Sequence, residues 1–101
     1  MKCLTRMWLR CTRPRLMAEI RYGQRIIDRI DGDTTPDERI MLRILADNAH
    51  RTIDALLADV IADYSSATPF QRHLIADTEQ DATTIMRRLT TAANRISKET
   101  R

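Results

Sequence analysis

The sequence predicts an all-α fold: a short first helix packed on a long antiparallel helical hairpin, preceded by a basic N-terminal arm. Three observations carry this. Thr35-Pro36-Asp37-Glu38 and Thr68-Pro69-Phe70-Gln71 each place Thr as N-cap, Pro at the first helical position and Glu or Gln at the third. A long stretch without Gly or Pro follows each of them. The 101 residues include only 2 Gly, 3 Pro, 1 Trp, 2 Tyr and 1 Phe, too few turn formers and aromatics for a sandwich or barrel.

The first helix is expected near residues 15–31, where Leu16, Ile20, Ile27 and Ile30 recur at helical spacing. It ends at Asp31-Gly32-Asp33, where Gly suits a left-handed residue just past the helix. Gly23 lies inside it and costs about 1 kcal/mol against Ala unless it permits a close helix contact.

The two capping boxes start helices near 36–64 and 69–97, joined by the short Ser65–Thr68 turn, which makes them an antiparallel hairpin. Leu42, Leu45, Ala49, Ile53, Leu56, Val60 and Tyr64 form a coiled-coil-like seam on one. Phe70, Leu74, Ala82, Ile85, Leu89, Ala92 and Ile96 form a weaker seam on the other, interrupted near Asp77 and Thr78.

The net charge of +3 is unevenly distributed. Residues 1–16 contain Lys2, Arg6, Arg10, Arg13 and Arg15 with no acid, for +5, whereas residues 17–101 sum to −2. Attraction of nucleic acid needs clustered, unbalanced charge, and only the arm has it. The arm reads in three ways: a phosphate-contacting segment, a targeting segment with Leu4, Met7, Trp8 and Cys11 at helical spacing, or an extension upstream of a start at Met17. Arginines interrupt every apolar run, so no secretory signal is expected. Arg supplies 15 of the 17 bases and Asp outnumbers Glu 10 to 4, a joint bias that a GC-rich genome produces without functional demand.

Catalytic and metal chemistry find little foothold. Cys3 and Cys11 fit neither a zinc nor a redox spacing and read as free thiols of an intracellular chain. Asp47, His50 and Asp54 share one helical face, and His73 with Asp77 is an i, i+4 pair. In an antiparallel hairpin the two histidines lie about 15 Å apart in level and cannot share a metal ion. No phosphate loop, nucleophile–base pair or carboxylate cleft is recognisable, so the expectation is a non-catalytic chain without metal or cofactor.

The functional expectation therefore rests on surfaces. The short Gly32–Thr34 link folds the first helix back along the base of the hairpin, covering little more than half of it. Leu56, Leu57, Val60, Ile61, Tyr64, Phe70, Leu74 and Ile75 are left at the distal tip, where paired apolar positions make a stripe too wide for one neighbour. The expectation is a cytoplasmic protein–protein interaction module of the bacterial or mobile-element type, binding a protein partner or self-associating through the tip. The alternative is a nucleic-acid-binding accessory protein using Arg6, Arg10, Arg13 and Arg15 with the Arg21, Arg25, Arg29 stripe of the first helix. No stretch reaches 18 consecutive apolar residues, so integral membrane association is not expected.

Overall fold

The structure, a computed structural model, describes residues 2–99. Among these the chain is all-helical, with α1 (Cys3–Thr12), α2 (Pro14–Asp31), α3 (Pro36–Ala62), a 3₁₀ turn over Tyr64–Ser66 and α4 (Pro69–Glu99). The longest axis is 49 Å, set by α4, whose 31 residues span about 46 Å.

Both Thr-Pro starts are used. Thr35 Oγ1 accepts the Glu38 N–H at 3.2 Å, and Pro36 opens α3. The box is half-formed, because the Glu38 carboxylate turns away to Arg29 at 2.9 Å. At α4 it is reciprocal: the Gln71 N–H donates to Thr68 Oγ1 at 3.2 Å, and the Thr68 N–H donates to Gln71 Oε1 at 3.0 Å. Arg72 closes the turn by donating to the Tyr64 and Ser65 carbonyls at 3.0 and 3.1 Å, with its guanidinium over the Tyr64 ring. These carbonyls follow a helix C-terminus, where acceptors otherwise lack partners.

At Gly32 the expected left-handed conformation is absent. Its φ of −91° and ψ of −172° are extended, and its N–H donates to the Arg29 carbonyl. A Cβ would meet nothing there closer than 3.6 Å, so the position does not require glycine.

Arg39 ties the base of the bundle together. It makes two hydrogen bonds to Glu99, at 2.7 and 2.9 Å, and donates to the Ile30 carbonyl and Thr34 Oγ1 at 3.0 and 3.2 Å. Arg95 of α4 adds a pair to Asp31 at 3.1 Å. The end of α2, the start of α3 and the end of α4 therefore meet, which fixes α4 antiparallel to α3.

The core is a continuous cluster from Leu9 to Ile96. On α3 the buried residues are Leu42, Ala46, Ala49, Ile53, Leu57 and Val60, with Leu45 and Leu56 half-buried beside them and Tyr64 exposed in the turn. On α4 the seam does not break at Thr78, which is 0% exposed. Its hydroxyl donates to the Leu74 carbonyl at 2.8 Å, so the side chain packs as a hydrophobe would.

Residues 3–12 are the part of the fold that spacing left undecided. Pro14 lacks an N–H and disfavours a helical Arg13, so α1 ends and α2 begins across one residue with φ −137° and ψ 60°. α1 packs against α2 and α4. Its buried residues are Thr5 and Leu9, with Trp8 half-buried, whereas Leu4, Met7 and Cys11 face outward.

Candidate functional sites on the helical surface

Three surfaces concentrate chemistry: the clasp that seats α1, an apolar strip on α3, and an arginine-lined cleft between α1, α2 and α4.

The clasp holds α1 at both ends. At its start, the Thr5 hydroxyl bonds the Asp77 carboxylate of α4, and the Lys2 N–H donates to Asp77 Oδ2 at a long 3.4 Å. A carboxylate at a helix N-terminus also meets favourable partial charge. The hydrogen bond from Thr5 holds the Asp77 carboxyl below the usual carboxylate value, against the opposing effect of burial and with help from the Lys2 N–H and Lys2 charge. At the other end, Arg13 pairs with Asp63, just beyond α3. Between these ends Leu9 is 0% exposed and joins the core that contains Leu57, Val60 and Ile75.

The eight tip residues divide. Leu57, Val60, Leu74 and Ile75 are buried and Leu56 is half-buried, while Ile61, Tyr64 and Phe70 stay exposed. Phe70 and Leu4 share a cleft of about 420 Å³ with His73 and Asp77. Asp77 and Asp63 serve the clasp, and His73 is exposed. Among the described residues no group of three or more His, Cys, Asp or Glu is placed to hold a metal ion.

The second surface was not singled out by spacing. Ile40, Met41 and Ile44 on the outer face of α3 are 48%, 56% and 51% exposed. Met41 and Ile44 belong to the exposed row Asp37, Met41, Ile44, Asn48 and Arg51, which recurs at 4, 3, 4, 3 and continues through Ala55, Ala58 and Ala62, with Ile40 beside it. The doubling that singled out 56/57 and 60/61 also occurs at 40/41 and 44/45, and that was the available signal.

The seven arginines of the nucleic-acid alternative separate. Arg13 pairs with Asp63 and Arg29 with Glu38 at 2.9 Å, while the Arg25 guanidinium lies 6.0 Å from the Tyr22 ring centroid. Arg10 and Arg15 are exposed. Arg6 and Arg21 converge instead with Arg88 of α4 on a cleft of about 360 Å³.

No helix among the described residues is long and apolar enough to cross a membrane. Comparison with protein-family models, curated proteins and solved structures gives no match to this chain.

Proposed function

We propose that the chain is a small, non-catalytic helical interaction module that pairs with a second copy of itself through α3. The observation that carries this reading is the exposure of Ile40, Met41 and Ile44 in a molecule whose other α3 apolar face is occupied by α2 and α4. A contiguous exposed apolar patch on a small domain marks an interaction surface.

The charges flanking the strip favour a second copy as the occupant. In an antiparallel pairing with its two-fold axis at Ile44, each Asp37 lies level with Arg51 of the other copy. The same patch then serves both chains, as a two-fold interface requires. The tip supplies less, because Leu57, Val60, Leu74 and Ile75 are already buried within one chain.

Sedimentation equilibrium tests the reading. The native chain is expected to show a concentration-dependent mass rising to a dimer, Ile44→Asp to remain monomeric, and Phe70→Asp to behave as the native chain. A native chain that stays monomeric at millimolar concentration overturns the proposal. Loss of dimer in Phe70→Asp alone returns the contact to the tip.

A further inference from the structure

The cleft between α1, α2 and α4 is lined by three arginines from three different helices: Arg6, Arg21 and Arg88. None of the three forms an ion pair among the described residues, although four other arginines (Arg13, Arg29, Arg39 and Arg95) do. One carboxylate, Asp81, lies on the same wall, leaving a local excess of two positive charges.

The floor beneath them is apolar, formed by Met17, Ile20 and Ile85, all nearly buried. The neutral polar residues at the rim are already engaged. Thr84 donates its hydroxyl proton to the Gln80 carbonyl at 2.9 Å, and Gln24 donates to Asp28 at 2.9 Å. Recognition therefore falls to the arginines.

We propose that this cleft binds a phosphate monoester of a small organic molecule. A phosphate monoester carries about −1.5 to −2 charge near neutral pH, which matches the excess in the cleft. Guanidinium groups recognise such oxyanions through paired N–H donors, in a geometry that lysine does not reproduce. The volume of about 360 Å³ exceeds what a bare phosphate fills, and the apolar floor accommodates the organic part. Because α1 contributes Arg6, the site exists only when α1 is seated.

The site is independent of the α3 strip, so its test is run on the Ile44→Asp chain as well as on the native one. The probes are phenyl phosphate and inorganic phosphate, followed by titration calorimetry and by backbone amide shifts. Phenyl phosphate is expected to bind more tightly than inorganic phosphate in both chains, with shifts concentrated around Arg6, Arg21, Thr84 and Arg88. Arg21→Gln and Arg88→Gln should each weaken it about tenfold or more, and Arg88→Lys by less. Arg43→Gln, on the exposed surface of α3, should leave it unchanged.

Equal weakening by Arg43→Gln would reduce the effect to general charge attraction and overturn the proposal, as would absence of binding to the native chain at millimolar phenyl phosphate. Preferential binding of a single-stranded oligonucleotide through the same arginines would overturn it in favour of nucleic acid. Circular dichroism and Trp8 emission confirm that each variant keeps the fold; should Arg88→Gln unfold, Arg88→Lys and Arg21→Gln still decide the outcome.

Discussion

A Cβ added to Gly23 of α2 would come within 3.0 Å of Ile85 Cγ2 on α4. The same atom would meet Leu89 at 3.3 Å and Ile53 of α3 at 3.4 Å. The absence of a side chain thus lets α2 sit close to both arms of the hairpin at one level. Ala would regain about 1 kcal/mol of helix propensity but needs Ile85 to yield by a few tenths of an ångström. Gly23→Val is expected to destabilise the chain by about 2–3 kcal/mol in urea unfolding, with Gly23→Ala much closer to native. A Gly23→Val chain as stable as native would show that the helices are not in contact there.

Arg39 should be the most costly single charge to remove. Its guanidinium reaches Glu99, the Ile30 carbonyl and Thr34 together, and it is only 19% exposed. Arg39→Ala is expected to lose about 1–3 kcal/mol, with Arg39→Lys recovering only part because one ammonium cannot span all three partners. Thermal unfolding followed by helicity checks the order native, Lys, Ala; an unchanged midpoint in Arg39→Ala would refute the clamp.

Seating of α1 should depend on acid pH. The folded Asp77 carboxyl is held below its ordinary value, so its contribution is complete above the unfolded value and disappears as pH falls through the folded one. The single tryptophan, Trp8, lies half-buried on α1 and reports the seat directly. Its emission is expected to shift to the red on acidification below about pH 4. Asp77→Asn should weaken the seat at neutral pH and remove that step, whereas an unchanged acid profile in Asp77→Asn would exclude Asp77 as the clasp.

The α3 pairing predicts a charge-reversal cycle. Asp37→Arg alone and Arg51→Asp alone set like charges opposite each other and should weaken the dimer. The double variant restores opposite charges and should recover most of the loss, about 0.5–1 kcal/mol per pair for exposed partners. Additive losses in the double variant would argue against the antiparallel register.

The helix starts were legible because their chemistry is local. Thr35-Pro36 and Thr68-Pro69 satisfy orphan N–H groups within one turn, and the spacing of Leu16, Ile20, Ile27 and Ile30 exposes the α2 core face directly. Residues 3–12 carried helical spacing too, but Arg-rich composition competed with it, and the buried face proved to be Thr5 and Leu9. That choice depends on Asp77 and Ile75, far away in the chain. Thr78 failed to look like a core residue because its hydroxyl is satisfied four residues back, inside its own helix. The α3 strip carries the same doubling, at 40/41 and 44/45, but the sequence leads one to expect the first helix along this base, and it packs on the opposite side of α3. The arginine cleft combines residues from three helices and has no sequence motif at all.

The clasp also sets an order of events during synthesis. Lys2 and Asp77 lie 75 positions apart, so at about 5–20 residues per second α1 waits on the order of 4–15 s for its seat to be made. During that interval Leu9 and Trp8 have no α4 surface to cover them. Residues 1–16, which include α1, carry five bases and no acid, and mutual repulsion among those charges opposes early collapse of this segment onto itself or onto neighbouring chains.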